Sequence, residues 1–180
     1  MRIAMVKEEV PVMKGTTVTL KDNVLSVRGP RGSVSRRFFH PSLRMAVSGE
    51  RIVVEARYVS RREKALVGTW AAHARNMMRG QLEPFEYRMK AVYAHFPIKM
   101  AVKGQELVIE NFLGEHHPRR AKILGDTKVT VKGQELELSG PVLEMVGQTA
   151  ANIENATRVK DRDPRVFQDG IFITHKGKGV

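Results

Sequence analysis

Three sets of residues in this chain have types and spacings that could do chemistry. Glu115-His116-His117 gathers two imidazoles and a carboxylate, the donors of a metal centre. Adjacent side chains in an extended loop point apart, however, and no further ligand stands at the usual spacing. A polar, exposed loop accounts for them better. Asp161 and Asp163 could be paired acid–base carboxylates, yet Arg158, Lys160, Arg162, Pro164 and Arg165 surround them, so ion pairing and turn formation suffice. Gly29-Pro30-Arg31-Gly32-Ser33 and Gly177-Lys178-Gly179 lack the full spacing of a nucleotide loop, and neither leads from a buried strand into a helix. With no cysteine, thiol catalysis and thiolate metal sites are excluded. No nucleophile, base and orienting partner can be assembled, so no catalytic residue, metal, cofactor or small-molecule substrate is expected.

The remaining chemistry is cationic. Thirty-one Lys and Arg against 19 Asp and Glu give +12 and a pI near 10.3, a field that attracts polyanions, nucleic acid first. Residues 1–80 hold 16 basic and 6 acidic side chains, a net +10, against 15 and 13, a net +2, in 81–180. The second half is segregated rather than neutral. Arg119, Arg120 and Lys122 cluster, Arg158, Lys160, Arg162 and Arg165 cluster, Lys176 and Lys178 end the chain, and 123–157 between them is net acidic.

The elements that must carry these cations come in two copies. Val18-Thr19-Leu20-Lys21-Asp22-Asn23-Val24-Leu25 is echoed 82 positions later by Met100-Ala101-Val102-Lys103-Gly104-Gln105-Glu106-Leu107; Met45–Glu50 answers to Val129–Gln134, and Leu66–Ala72 to Met145–Ala151. Such a repeat marks a duplicated domain. The expected boundaries are 1–80 and 81–180, with a closing strand at about 85–93 leading into the second copy. Asp22-Asn23 turns the first hairpin. Gly29-Pro30-Arg31-Gly32 lifts Arg28 and Arg31 onto a loop, and Met45–Val47 with Ile52–Val54 make a second hairpin. Ser60 and Glu63 form a capping box for a helix whose stripe is Leu66, Trp70, Ala74 and Met77, stopped at Gly80. Trp70 and the methionines therefore read as core. In the second copy Val-Lys-Gly-Gln-Glu-Leu recurs at 102–107 and 131–136, and a helix from Gly140-Pro141 buries Val142, Val146, Thr149, Ile153 and Ala156. Ile171–Ile173 is the last strand, and 175–180 reads as a mobile tail. The fold class is α+β, a tandem duplication of a small domain whose mainly antiparallel sheet packs one face against one helix. No stretch reaches the roughly 18 apolar residues of a membrane span, and no signal peptide is evident, so a cytoplasmic protein without a membrane partner is expected.

Asn111-Phe112-Leu113-Gly114-Glu115, Arg119-Arg120, the run Lys160-Asp161-Arg162-Asp163-Pro164-Arg165-Val166-Phe167-Gln168-Asp169-Gly170-Ile171 and Tyr87–Pro97 resemble the protein six family of the large ribosomal subunit. The form is archaeal, close to the eukaryotic member called protein nine, and the likeness runs over essentially the whole chain. The resemblance implies two copies of a small α/β domain and no catalysis. It also implies a seat on large-subunit rRNA near the sarcin-ricin loop and the base of the lateral stalk, beside neighbouring ribosomal proteins and docking translation factors. Within the family the second domain is the main rRNA-binding part.

That implication opposes the net charge, which favours the first half. Phosphate affinity depends on how many cations reach the backbone together, and each neutralised phosphate contributes a salt slope of about 0.7 to 0.9, so clustering prevails. The expected rRNA contacts are His116, His117, Arg119, Arg120, Lys122, Lys160, Arg162, Arg165, Lys176 and Lys178. Arg28, Arg31, Arg36 and Arg37 form a secondary surface for RNA or protein. Joint replacement of Arg119, Arg120 and Lys122 by Ala would flatten the salt dependence by about two to three slope units if all three touch phosphate. A free-standing RNA chaperone or translation regulator would suit the charge equally well, but the compact duplication and the absence of low-complexity arms argue against it.

Overall fold

A computed structural model describes residues 3–94, 96–163 and 165–177. Among the described residues it is α+β, with every paired strand antiparallel, and it divides into two compact units between Glu83 and Pro84. The first unit runs β1 (Ile3–Pro11), β2 (Thr17–Lys21), β3 (Val24–Gly29), β4 (Gly32–Arg37), β5 (Leu43–Ser48), β6 (Arg51–Val59) and α1 (Arg61–Leu82). The second runs β7 (Phe85–Val92), β8 (Lys99–Lys103), β9 (Glu106–Glu110), β10 (Arg119–Lys122), β11 (Lys128–Lys132), β12 (Glu135–Gly140), α2 (Leu143–Ala156) and β13 (Gly170–Lys176).

Each unit holds two sheets, not the single one its hairpins suggest. The orders are β2-β3-β4 and β1-β6-β5 in the first unit, β8-β9-β10 and β11-β12-β7-β13 in the second. In each, the helix buries residues against both sheets. Leu25 and Val27 of β3, Ile52 and Val54 of β6, and Val67, Ala71 and Met78 of α1 form one cluster; Leu107 and Ile109 of β9, Leu136 and Leu138 of β12, and Val146, Ala150 and Ile153 of α2 form the other. A fully buried side chain of this kind contributes about 1.5–3 kcal/mol, which two-residue alternation along each strand directs to one face.

Several local signals act as the sequence suggests. Asp22 and Asn23 both take positive φ (51° and 61°) between β2 and β3. The capping box forms, with the Ser60 N–H donating to Glu63 Oε2 at 2.7 Å. Trp70 is core, its ring edge-on to Phe38 at 5.3 Å. Other expectations need correction. Helix α1 continues through a buried Gly80 and ends before Pro84, because the residue preceding a proline is driven out of the helical region; Glu83 sits at φ −135°, ψ 137°. Strand β7 does not close the first unit. It is an inner strand of the second, paired with β12 and β13. Its counterpart in the first unit is β1, which pairs with β6 from Ile3↔Val59 to Pro11↔Arg51 and whose broken alternation hides it in the sequence. Pro30-Arg31 is a tight turn joining β3 to β4, with Gly29 opposite Gly32, rather than a loop. Helix α2 starts at Leu143, with Val142 as its cap residue. Strand β13 extends to Lys176, so His175 and Lys176 are not tail; 178–180, including Lys178, lie outside the described residues.

Candidate nucleic-acid interface

The cationic end of the second unit is built around β10. Between β9 and β10 the backbone turns through Asn111 (φ 60°), Leu113 (φ 51°) and Gly114 (φ 78°), while Phe112 is 1% exposed. Asn111 Nδ2 donates to Pro97 O at 3.2 Å. Strand alternation then separates neighbours: Arg119 lies opposite Ile109 on the core face, and Arg120 opposite Val108 on the outer face. Two hydrogen bonds fasten this region to α2, from Asn152 Nδ2 to Lys122 O (3.1 Å) and from Leu124 N to Thr149 Oγ1 (3.0 Å).

Arg119 binds the two predicted cation segments together. Its Nη1 donates to Ala156 O at 2.9 Å and to Arg158 O at 3.1 Å, satisfying carbonyls that the C-terminus of α2 leaves unpaired. Its Nε donates to Glu115 Oε2 at 2.8 Å and its Nη2 to Oε1 at 2.5 Å, and its guanidinium lies 4.2 Å from the Phe112 ring centroid. These hydrogen bonds from Arg119 hold the Glu115 carboxyl below its ordinary range. Arg119, from a distant strand, thus brings positive charge to the end of α2. Its guanidinium is engaged by the protein and frames the site.

Around that frame the remaining cations differ in availability. Lys122 and Lys160 are exposed, and their ammonium groups have no side-chain partner among the described residues. Arg120 is 67% exposed with Nη1 3.7 Å from Glu106. Arg162 stacks 4.8 Å from the Phe167 ring centroid. Asp163 accepts from the Arg165 backbone N (2.9 Å) and from Arg165 Nε and Nη2 (3.1 and 2.9 Å), so this carboxylate organises a turn, and those bonds depress its pKa. His116 and His117 are exposed, and no metal-competent group of His and acidic side chains exists among the described residues. Lys176 is exposed on β13, six residues from Gly170 and therefore about 20 Å along the strand. It stands apart from the other two segments.

The arginines of the first unit divide between two faces. Arg28 and Arg37 share the outer face of β2-β3-β4, Arg37 lying opposite Val24. Arg36, opposite core residue Leu25, turns toward α1, with Nη1 3.1 Å from His73 Nδ1. Arg31 Nε donates to Leu82 O at 3.3 Å. The sequence reading overlooked Glu115 as the partner of Arg119, a half-buried arginine four residues after it. It also passed over Asp169, an acid set directly before a buried strand end.

The described residues form a twofold α+β repeat with cations gathered at one end of its second copy. The sequence matches the family described as ribosomal protein L6 over residues 12–82 and 96–170. It is 49% identical over 175 residues to the Large ribosomal subunit protein uL6 of Methanosarcina mazei, covering 96% of this chain and 99% of the relative. The protein of the same name from Methanocella arvoryzae is 50% identical over 169 residues (93% and 96%), and that from Methanobrevibacter smithii 45% over 173 (96% and 97%). The chain belongs to the ribosomal protein L6 family, whose members are structural and not enzymatic.

Proposed function

We propose that the chain is a cytoplasmic, structural constituent of the large ribosomal subunit that binds large-subunit rRNA chiefly through its second unit. Its seat is near the sarcin-ricin loop and the base of the lateral stalk, where it supports the translation-factor docking region and meets neighbouring ribosomal proteins. The observation that carries the second-unit assignment is the Arg119 clamp. It joins the 115–122 and 158–165 segments, so that Arg120, Lys122, Lys160, Arg162 and Arg165 occupy one end of the unit. His116 and His117 border that end, and Lys176 makes a separate contact further along β13. Helical RNA hides its bases from side chains in the major groove, so the recognition is of phosphate and shape. The second unit begins at Pro84, and Arg28, Arg31, Arg36 and Arg37 of the first provide the secondary surface.

Each unit has its own core, so fragments 1–83 and 84–180 are suited to separate measurement. Binding to an rRNA fragment carrying the sarcin-ricin region, across a salt series, should be specific in 84–180 and weak in 1–83. Specific binding only by 1–83 would reverse the assignment.

A further inference from the structure

Beside the Arg119 clamp, an open cleft of about 760 Å³ lies between the end of α2, the 158–169 loop and the paired strands β7 and β13. Its volume falls within the roughly 300–1,000 Å³ of small-ligand sites. Three features make it more than a surface hollow. Asp169 lines it, only 6% exposed, and its carboxylate has no hydrogen-bond or ion-pair partner among the described residues. Its oxygens are not sealed from solvent, and a carboxylate open to the cleft is an acceptor. Phe172, 45% exposed, lines it with its ring lying over Gly170, where a Cβ would stand 2.8 Å from Phe172 Cζ and push the ring aside. Finally, its margin carries both signs: Arg158 and Glu154 line it, and Arg162 stacks on Phe167, one of its walls.

We propose that this cleft receives one unstacked guanine of the bound RNA. The proposal rests on the reading that the second unit binds rRNA. An aromatic face and an acceptor at depth fit a base, and cations outside fit its phosphates; single-stranded bases are recognised by such stacking and by their Watson–Crick edges. The carboxylate selects among them. Guanine alone sets two donors, N1–H and the N2 amino group, side by side against two carboxylate oxygens. Adenine and cytosine each place a ring acceptor beside their amino donor, and uracil flanks its single N–H with two carbonyls. An arginine from a neighbouring protein also presents paired donors, which Glu154 would attract; Arg158 and Arg162 favour the phosphates of a nucleotide, and the arginine peptide in the test separates the two.

The test is a titration of the full chain, followed by amide NMR, with the pentanucleotides UUGUU, UUAUU, UUIUU (inosine, which lacks the 2-amino group) and UUUUU, and with the peptide Ac-Gly-Arg-Gly-NH2. UUGUU should bind about five- to a hundredfold tighter than UUUUU, the range of one good bidentate base contact, and shift the amides of Gln168, Asp169 and Phe172. UUIUU and UUAUU should lose most of that gain. Asp169→Asn should bring UUGUU down to UUUUU without changing UUUUU itself. Phe172→Ala, at an exposed position, should weaken UUGUU with the fold intact. Equal binding of all pentanucleotides with unmoved cleft amides would overturn the proposal while sparing the phosphate reading. Cleft shifts with the arginine peptide alone would overturn it in favour of a protein side chain. Failure of the rRNA fragment to bind the full chain would remove the parent reading as well.

Discussion

Replacing Arg119 by Ala separates two roles that one arginine could have. As a clamp, Arg119 satisfies Ala156 O in a part-buried setting; losing a charged donor there costs about 1–3 kcal/mol. Its stacking on the buried Phe112 ring contributes about 0.5–1 kcal/mol, and its pair with Glu115, whose side chain is 40% exposed, less than about 1 kcal/mol. Arg158 O is exposed and can turn to water. The expected loss is about 3 kcal/mol, confined to the second unit. With a urea dependence of about 2 kcal/mol/M, its midpoint should fall by about 1.5 M. Trp70, the single tryptophan, belongs to the first unit and serves as the internal control. Hydrogen exchange at Leu138 and Ile153 follows the second. Arg119→Lys keeps the charge but not the planar fork, and should recover only a minor part. If Arg119→Ala left exchange in the second unit unchanged and instead lowered the salt slope of rRNA binding by about one, the clamp reading would be refuted, and Arg119 would be a phosphate ligand.

Arg120→Ala with Lys122→Ala should lower that salt slope by about 1.4 to 1.8 and leave urea stability nearly unchanged, since neither guanidinium nor ammonium holds the core; an unchanged slope moves the contact elsewhere. Ser60→Ala should cost the first unit about 1 kcal/mol, read by Trp70 fluorescence during urea unfolding. The Ser60 N–H, aided by the Ser42 and Ser60 hydroxyls, lowers the Glu63 pKa from 4.5 to about 2. This depressed carboxylate adds stability that is present above about pH 4.5 and lost as pH falls toward 2, so Glu63→Gln should flatten that part of the acid profile relative to the unaltered chain. Gly29→Ala would put a Cβ 2.6 Å from Gln81 Cβ, whose side chain is 1% exposed, and should cost about 1–3 kcal/mol by the same fluorescence assay.

The elements that the sequence reveals are those with local causes: the Asp22-Asn23 turn, the Ser60 cap, the stripe through Trp70, and the repeat itself. The elements it hides depend on distant partners. Strand β1 mixes exposed Lys7 and Glu9 with half-buried Val6 and Glu8, and becomes a strand only by pairing with β6 some fifty residues on. The split of each copy into two sheets is likewise tertiary, because a hairpin pattern does not state which strands lie beside it. At the interface, the spacing of Arg119 and Arg120 is visible in the sequence. Their opposite directions follow from strand alternation, which becomes legible once 119–122 is known to be a strand rather than a loop.

The same alternation shows how differently the two units distribute their charge. On the outer face of β2-β3-β4, Lys21, Arg28 and Arg37 stand among Thr17, Thr19, Ser26, Ser33 and Ser35, with no carboxylate on the three strands. On the corresponding face of β8-β9-β10, the middle strand supplies Glu106 and Glu110. There Lys99 faces Glu110, while Lys103 and Lys122 both face Glu106. The second unit is near neutral chiefly because of 123–157, where five Asp and Glu stand against two Lys; this sheet itself keeps five cations against two carboxylates. Exposed cross-strand pairs of this kind contribute little to stability, but they weaken the sheet's field at a distance. At the end beyond α2, Lys160 and Arg162 follow a backbone tied to Arg119, with Asp163 engaged by Arg165. A sum over residues records the cancellation and misses the placement, whereas a polyanion responds to the placement.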